Sequence, residues 1–151
     1  MKPTRIHIAS PRGQTLVEFA LIAPIMFIFL FGIIDFGMAL NRRIAIEHAV
    51  REGARYAAVH LDADGCTAIQ DRTAERAGGS AIDSGEVDVH YYDPGGNPVT
   101  HASTGDTVRV TAPFQYSFPL MSVFGRGPID VTITGEAQME GPLSNAEGCP
   151  P

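Results

Sequence analysis

Residues 16–34 read LVEFALIAPIMFIFLFGII, and Glu18 is the only ionisable residue in the run. At about 1.5 Å of rise per residue, a helix over this stretch spans about 28 Å, close to the hydrocarbon thickness of a bilayer. The apolar region of a secretory signal is shorter, about 7–15 residues, although Gly37-Met38-Ala39 would serve as a cleavage site. The run therefore reads as a membrane-spanning anchor, with the lipid bilayer as the first partner. Pro24 removes one backbone donor inside the span and is expected to kink it. Asp35 falls at the outer boundary, where a hydrated interfacial carboxylate is expected. Basic residues lie on both sides, Lys2, Arg5 and Arg12 before and Arg42, Arg43, Arg51 and Arg55 after. Charge counting therefore leaves the orientation undecided.

The helix is expected to run on beyond the anchor. Residues 38–59, MALNRRIAIEHAVREGARYAAV, contain no proline and are good helix formers throughout. Ala45, Ala49, Gly53 and Ala57 recur every four residues and form a small-residue stripe that lets another backbone approach closely. The opposing face carries Arg42, Arg43, Glu47, Arg51, Glu52 and Arg55. The stripe suits docking onto the chain's own domain and packing against another subunit equally well.

Working outward, LDADGC at 61–66 is a turn-rich loop. Its Asp62-x-Asp64-Gly65 fragment lacks the later ligands of a calcium loop. Thr67 to Ala77 reads as a short helix capped by Thr67 and ended by Gly78-Gly79. The period then changes to two, the mark of half-buried strands. Val87, Val89 and Tyr91 alternate with polar residues, and Asp93 to Pro98 is a dense turn signal. Val108, Val110, Ala112, Phe114, Tyr116 and Phe118 follow, with Pro113 arguing for an edge or a bulge. Ile129, Val131, Ile133, Gly135, Ala137 and Met139 make a third alternating strand. The expected fold is α+β: a long N-terminal helix, then a small domain with one short helix and a mainly antiparallel three-stranded sheet. One sheet face lies on a helix and the other is polar.

A domain of about ninety residues buries a modest share of its surface and needs extra support. The chain's two cysteines, Cys66 and Cys149, bracket nearly all of it. Outside the cytoplasm their pairing is permitted, and so long a loop would contribute up to about 4–5 kcal/mol in the chain-entropy model. In a cytosolic domain the same residues would be two free thiols.

Catalytic and binding signatures are missing from the sequence. The net charge of −6 comes without a basic stripe or aromatic interleaving, so nucleic-acid binding is unsupported. The histidines at 7, 48, 60, 90 and 101 show no metal-ligand spacing, and the cysteines form no CxxC pair. No phosphate loop, nucleophile elbow or kinase signature occurs. Ser103 lies near His101 and Asp106, but sequence proximity does not make a triad. These three read as a polar loop. The expectation is a non-enzyme with no metal and no cofactor.

The junction Pro11-Arg12-Gly13-Gln14-Thr15-Leu16-Val17-Glu18-Phe19 resembles the processing site of type IV prepilins and pseudopilins. In that family a basic leader ends in glycine, a membrane peptidase cuts after it, and a glutamate follows five residues into the mature chain. Glycine has no side chain to obstruct a protease, and a glutamate in an apolar helix needs a partner. Thr15-x-x-Glu18 also fits a capping box, which gives Glu18 an alternative role in starting the helix. A narrower likeness is to TadE-like proteins of tight-adherence pilus systems. It is carried by Arg12 to Phe19, by the Gly32 to Gly37 sequence GIIDFG, and by Ala49 to Ala58, AVREGARYAA. The C-terminal VRVTAPFQYSFPLMSVFGRGPIDVTITGEAQME is similar to that family's tail.

The resemblance implies a leader at 1–13, a membrane-spanning helix with its extracytoplasmic continuation at 14–60, and an extracytoplasmic α+β domain at 61–151. It implies cleavage between Gly13 and Gln14, with Glu18 registering the helix against a neighbour's freed amine. The implied protein is a minor pseudopilin or membrane-anchored assembly factor of a tight-adherence (Flp-type) pilus. It would sit single-pass in the inner (cytoplasmic) membrane, with its N-terminus cytoplasmic, and would work by contacts rather than catalysis. Implied partners are the prepilin peptidase, the pilin, a related pseudopilin and the inner-membrane secretion platform. The alternatives are an uncleaved tethered binding or adhesion module and a tethered extracytoplasmic enzyme.

Overall fold

The computed structural model describes residues 11–60, 65–78, 82–119, 122, 125 and 127–142, with side chains described from Gly13 onward. Helix α1 runs from Pro11 to Val59 and is continuous through Pro24. From Leu16 to Leu40 its large apolar side chains stand exposed, as in Leu21, Phe29 and Ile33. From Ile46 onward its inner face is buried, with Ala49, Val50 and Ala54 fully enclosed. One helix therefore has two environments, an apolar exterior without protein cover and an amphipathic half that carries the domain.

Helix α2, Gly65–Arg76, begins two residues before the expected start at Thr67. Gly65 opens it and Gly78 closes it, both at positive φ, a backbone region that favours glycine. A single 3-10 turn, Ser84–Glu86, follows. It is held by a capping box in which Asp83 accepts from Gly85 N–H at 3.1 Å and Glu86 accepts from Asp83 N–H at 3.1 Å. Gln70 Nε2 donates to Val87 O at 2.7 Å, which ties α2 to the entry of the sheet.

The sheet has four strands rather than the expected three. These are β1 (Asp88–Tyr92), β2 (Pro98–Val99), β3 (Thr107–Tyr116) and β4 (Ile129–Gln138), in the antiparallel order β2-β1-β3-β4. The additional strand is only two residues long, too short to show any alternation. It completes a hairpin across the turn that Asp93 closes by accepting from Asn97 N–H at 2.8 Å. Pro98 is tolerated because β2 is an edge. Pro113 lies in β3, an inner strand, yet pairing with β1 ends at Thr111, so Pro113 also has an open side.

Residues 89, 91, 108, 110, 112, 114, 116, 133 and 135 face α1 and are buried. Val108 and Val110 are wholly enclosed, each worth about 1.5–3 kcal/mol of apolar burial. The outer face is polar, with Arg109 bonded to Glu136 at 2.7 Å and Gln115 to Asp130 at 2.8 Å. Strand β4 lies along α1 and runs in the same direction. Glu140 N–H reaches Ala58 O at 3.2 Å, Gly135 abuts Val50, and Tyr116, paired with Ile129, reaches Asp35.

Candidate functional site

The residues singled out by sequence fall at two places on α1, its N-terminal turns and the seam where the domain docks. Gly13 and Gln14 lie in the first turn of α1, and a Cβ at Gly13 would meet open space. Glu18 is exposed one turn further on, and its Oε1 accepts from Gln14 Nε2 at 3.3 Å. The capping-box alternative for Glu18 is not realised: α1 has begun by Pro11, so Thr15 lies inside the helix. Around Glu18 the surface is apolar, with Leu16, Val17, Phe19, Leu21 and Ile22 all largely exposed. In a bilayer, a carboxylate here is costly unless a cation or a donor reaches it.

At the seam, Ala49 and Ala57 are fully buried against the chain's own domain, Gly53 is buried, and Ala45 is half-buried. Gly53 admits α2, because a Cβ there would collide with Thr73 Oγ1. That hydroxyl is committed to Ile69 O at 2.7 Å, and Thr73 itself is fully buried. Gly135 does the same for the sheet, since a Cβ would lie 2.6 Å from the backbone carbonyl of Val50. Three of the four stripe residues are thus buried within the molecule, and Gly53 lets α2 pack closely on α1. On the other face Glu47 pairs with Arg43 at 3.1 Å and Arg51 at 3.7 Å, both exposed. Such pairs contribute little. Glu52 reaches across to Arg76 of α2 at 3.8 Å.

Asp35 differs from its expectation as a hydrated carboxylate. It is 7% exposed, and its backbone carbonyl accepts from Tyr116 Oη at 3.4 Å. The cover comes from a residue 81 positions away, which no local pattern announces.

Among the described residues, the thiol and titratable groups form no catalytic arrangement. Cys66 is in a disulfide, while Cys149 lies outside the described residues, as do Asp62 and Asp64. Asp106 is buried and accepts from Ser103 N–H at 2.7 Å, while its own N–H donates to Ser103 O at 3.0 Å. His101 is exposed, and the segment is a turn that joins the sheet through Gly105 N–H to Met139 O at 3.0 Å. Three groups have shifted pKa values. Burial raises that of Tyr91. The Asn97 side chain, followed by its backbone N–H, holds Asp93 below the usual carboxylate range. The hydrogen bond to Glu136 raises that of Arg109. Tyr91 lies in β1, Asp93 in the turn before β2 and Arg109 in β3, apart from any cluster of reactive groups. Among the described residues, no three His, Cys, Asp or Glu side chains gather as a metal site.

Together these features define a class, a small α+β domain carried on one helix whose length and apolar exterior suggest single-pass membrane anchoring. The family described as TadE-like protein matches residues 13–55, the segment that carries the junction, the span and the docking helix. Over that segment the chain is similar to TadE-like proteins. The match ends before α2, so the tail from Val108 onward lies outside it. Neither the curated proteins nor the solved structures gave a match.

Proposed function

We propose that this chain is a minor pseudopilin or membrane-anchored assembly factor of a tight-adherence pilus, acting through subunit contacts and not through catalysis. The observation that carries the reading is the division of α1. Its N-terminal half, within the segment similar to TadE-like proteins, presents apolar side chains without protein cover, while the inner face of its C-terminal half is taken up by the domain and the outer face is charged. Contacts with other helices in the bilayer therefore fall to residues 16–40, and Glu18 is the one charged group there without burial inside the domain. After cleavage behind Gly13 the new amine of a neighbouring subunit would compensate Glu18, setting the stagger between helices. The domain would lie outside the cytoplasm, where a Cys66–Cys149 disulfide is stable.

The proposal is tested by piliation. In a host with a tight-adherence pilus system, deletion of this chain is expected to abolish or strongly reduce surface pili. Wild-type protein restores them and Glu18→Ala does not, although both accumulate equally in membranes. Unchanged piliation in the deletion strain would sink the assembly reading.

A further inference from the structure

The exposed apolar surface of α1 does not end where a single bilayer span would end. Leu16 to Leu40 covers about 36 Å as helix, against about 30 Å of hydrocarbon. With Leu16 at one boundary, the other falls about twenty residues on, near Phe36. Asp35 and its cover, Tyr116, sit at that level. The sheet points the same way. From Gly135, which abuts Val50, six residues of β4 lead back to Ile129, about 20 Å of strand. Fifteen residues of α1 separate Val50 from Asp35, about 22 Å of helix. The strand and the helix therefore descend together to one level.

At that level the domain is apolar where it meets solvent. Ile129 is 48% and Val131 41% exposed, although both alternate onto the helix-facing side of the sheet. Phe118 is half-buried and stands edge-on to Tyr116 at 4.9 Å. On α1, Phe36 and Leu40 are exposed as well. Of the described residues joining β3 to β4, at 117–119, 122, 125, 127 and 128, none is charged. Tilting the long span to fit the hydrocarbon lowers the same end of the domain toward lipid.

We propose that the β3–β4 end of the domain is a second membrane contact, in which Phe118, Ile129 and Val131 rest in the lipid interface beside the span, with the buried Tyr116 behind them. The occupant of this apolar face is lipid, because the face is continuous with the exposed surface of the anchor and lies at its outer boundary. The contact would fix the domain's height and rotation against the membrane. It rests on the anchoring reading above.

The chain contains no tryptophan, so a single introduced one reports alone. Four full-length variants are reconstituted in phosphatidylcholine vesicles, with or without bromine on the acyl chains. Ile129→Trp and Ser122→Trp probe the contact, both at exposed positions that leave the core intact. Phe29→Trp marks the span and Thr100→Trp the far end of the sheet. Bromolipid is expected to remove emission from Ile129→Trp and Ser122→Trp nearly as strongly as from Phe29→Trp, and to spare Thr100→Trp. Quenching of Phe29→Trp with the two probes no more affected than Thr100→Trp would overturn the inference while leaving the anchor intact. Loss of quenching at Phe29→Trp as well would overturn the anchoring too. A blue shift at Ile129→Trp that grows with protein-to-lipid ratio and ignores bromine would assign the face to a second copy, against lipid.

Discussion

Gly135→Ala tests how the domain is fixed to its helix. The added Cβ would lie 2.6 Å from the Val50 carbonyl carbon and oxygen and 2.8 Å from Arg51 N. Ordinary contact begins near 3.4 Å, so β4 and α1 must separate by about 0.8 Å. The obstacles are backbone atoms in the middle of a helix, so no side-chain rotation relieves the clash. Separation would loosen the packing of Val50, Val110 and Ile133, all buried at this contact. Overpacking of this kind costs about 1–3 kcal/mol, and rigid neighbours place this case at about 2 kcal/mol or above. For a domain this small that lowers Tm by about 8–16 °C. The assay is thermal unfolding of the full-length protein in detergent, followed by circular dichroism. Gly32→Ala and Gly37→Ala are the controls, since a Cβ at either position meets open space. A Gly135→Ala Tm equal to that of the controls would refute the close approach of β4 to α1.

Gly53→Ala should also destabilise, but its obstacle is a side chain. Adding Thr73→Ala is expected to recover most of the loss, giving a coupling of about 1–2 kcal/mol in a double-mutant cycle of unfolding free energies. Replacing both Cys66 and Cys149 with serine should cost about 2–4 kcal/mol, and the oxidised wild type should resist thiol alkylation until reduced; rapid alkylation of the native oxidised protein would remove the proposed pairing. Asp93 has its folded pKa lowered, so its turn contributes stability above the unfolded carboxylate value and loses it as pH falls through the lowered folded value. Asn97→Ala should return the Asp93 carboxyl toward its ordinary titration, read by carbon NMR; an unchanged titration curve would show that Asn97 is not the cause.

Much of this architecture could be read from local patterns. The run from Leu16 to Ile34 announces the span by length and apolarity, and the change to period two marks β1, β3 and β4. Features set by distant partners were hidden. Asp35 looks like any boundary carboxylate until Tyr116 covers it. Strand β2 has too few residues to alternate. Ile129 and Val131 keep the inward alternation, yet the outer end of β4 leaves them exposed. The stripe of Ala45, Ala49, Gly53 and Ala57 was visible by its spacing, but spacing is the same for a neighbour's backbone and for the chain's own α2. For the junction, order and residue type carry the signal.

The central claim is that α1 is the helix of a processed pseudopilin-type subunit. Its most direct test is the N-terminal residue and intact mass of protein purified from membranes of hosts with and without a prepilin peptidase. The account predicts a chain beginning at Gln14 only when the peptidase is present, with processing blocked by Gly13→Leu. A chain that keeps Met1 in both hosts would contradict processing and leave a permanent tether, and a chain beginning near Leu40 would remove the anchor from the account altogether.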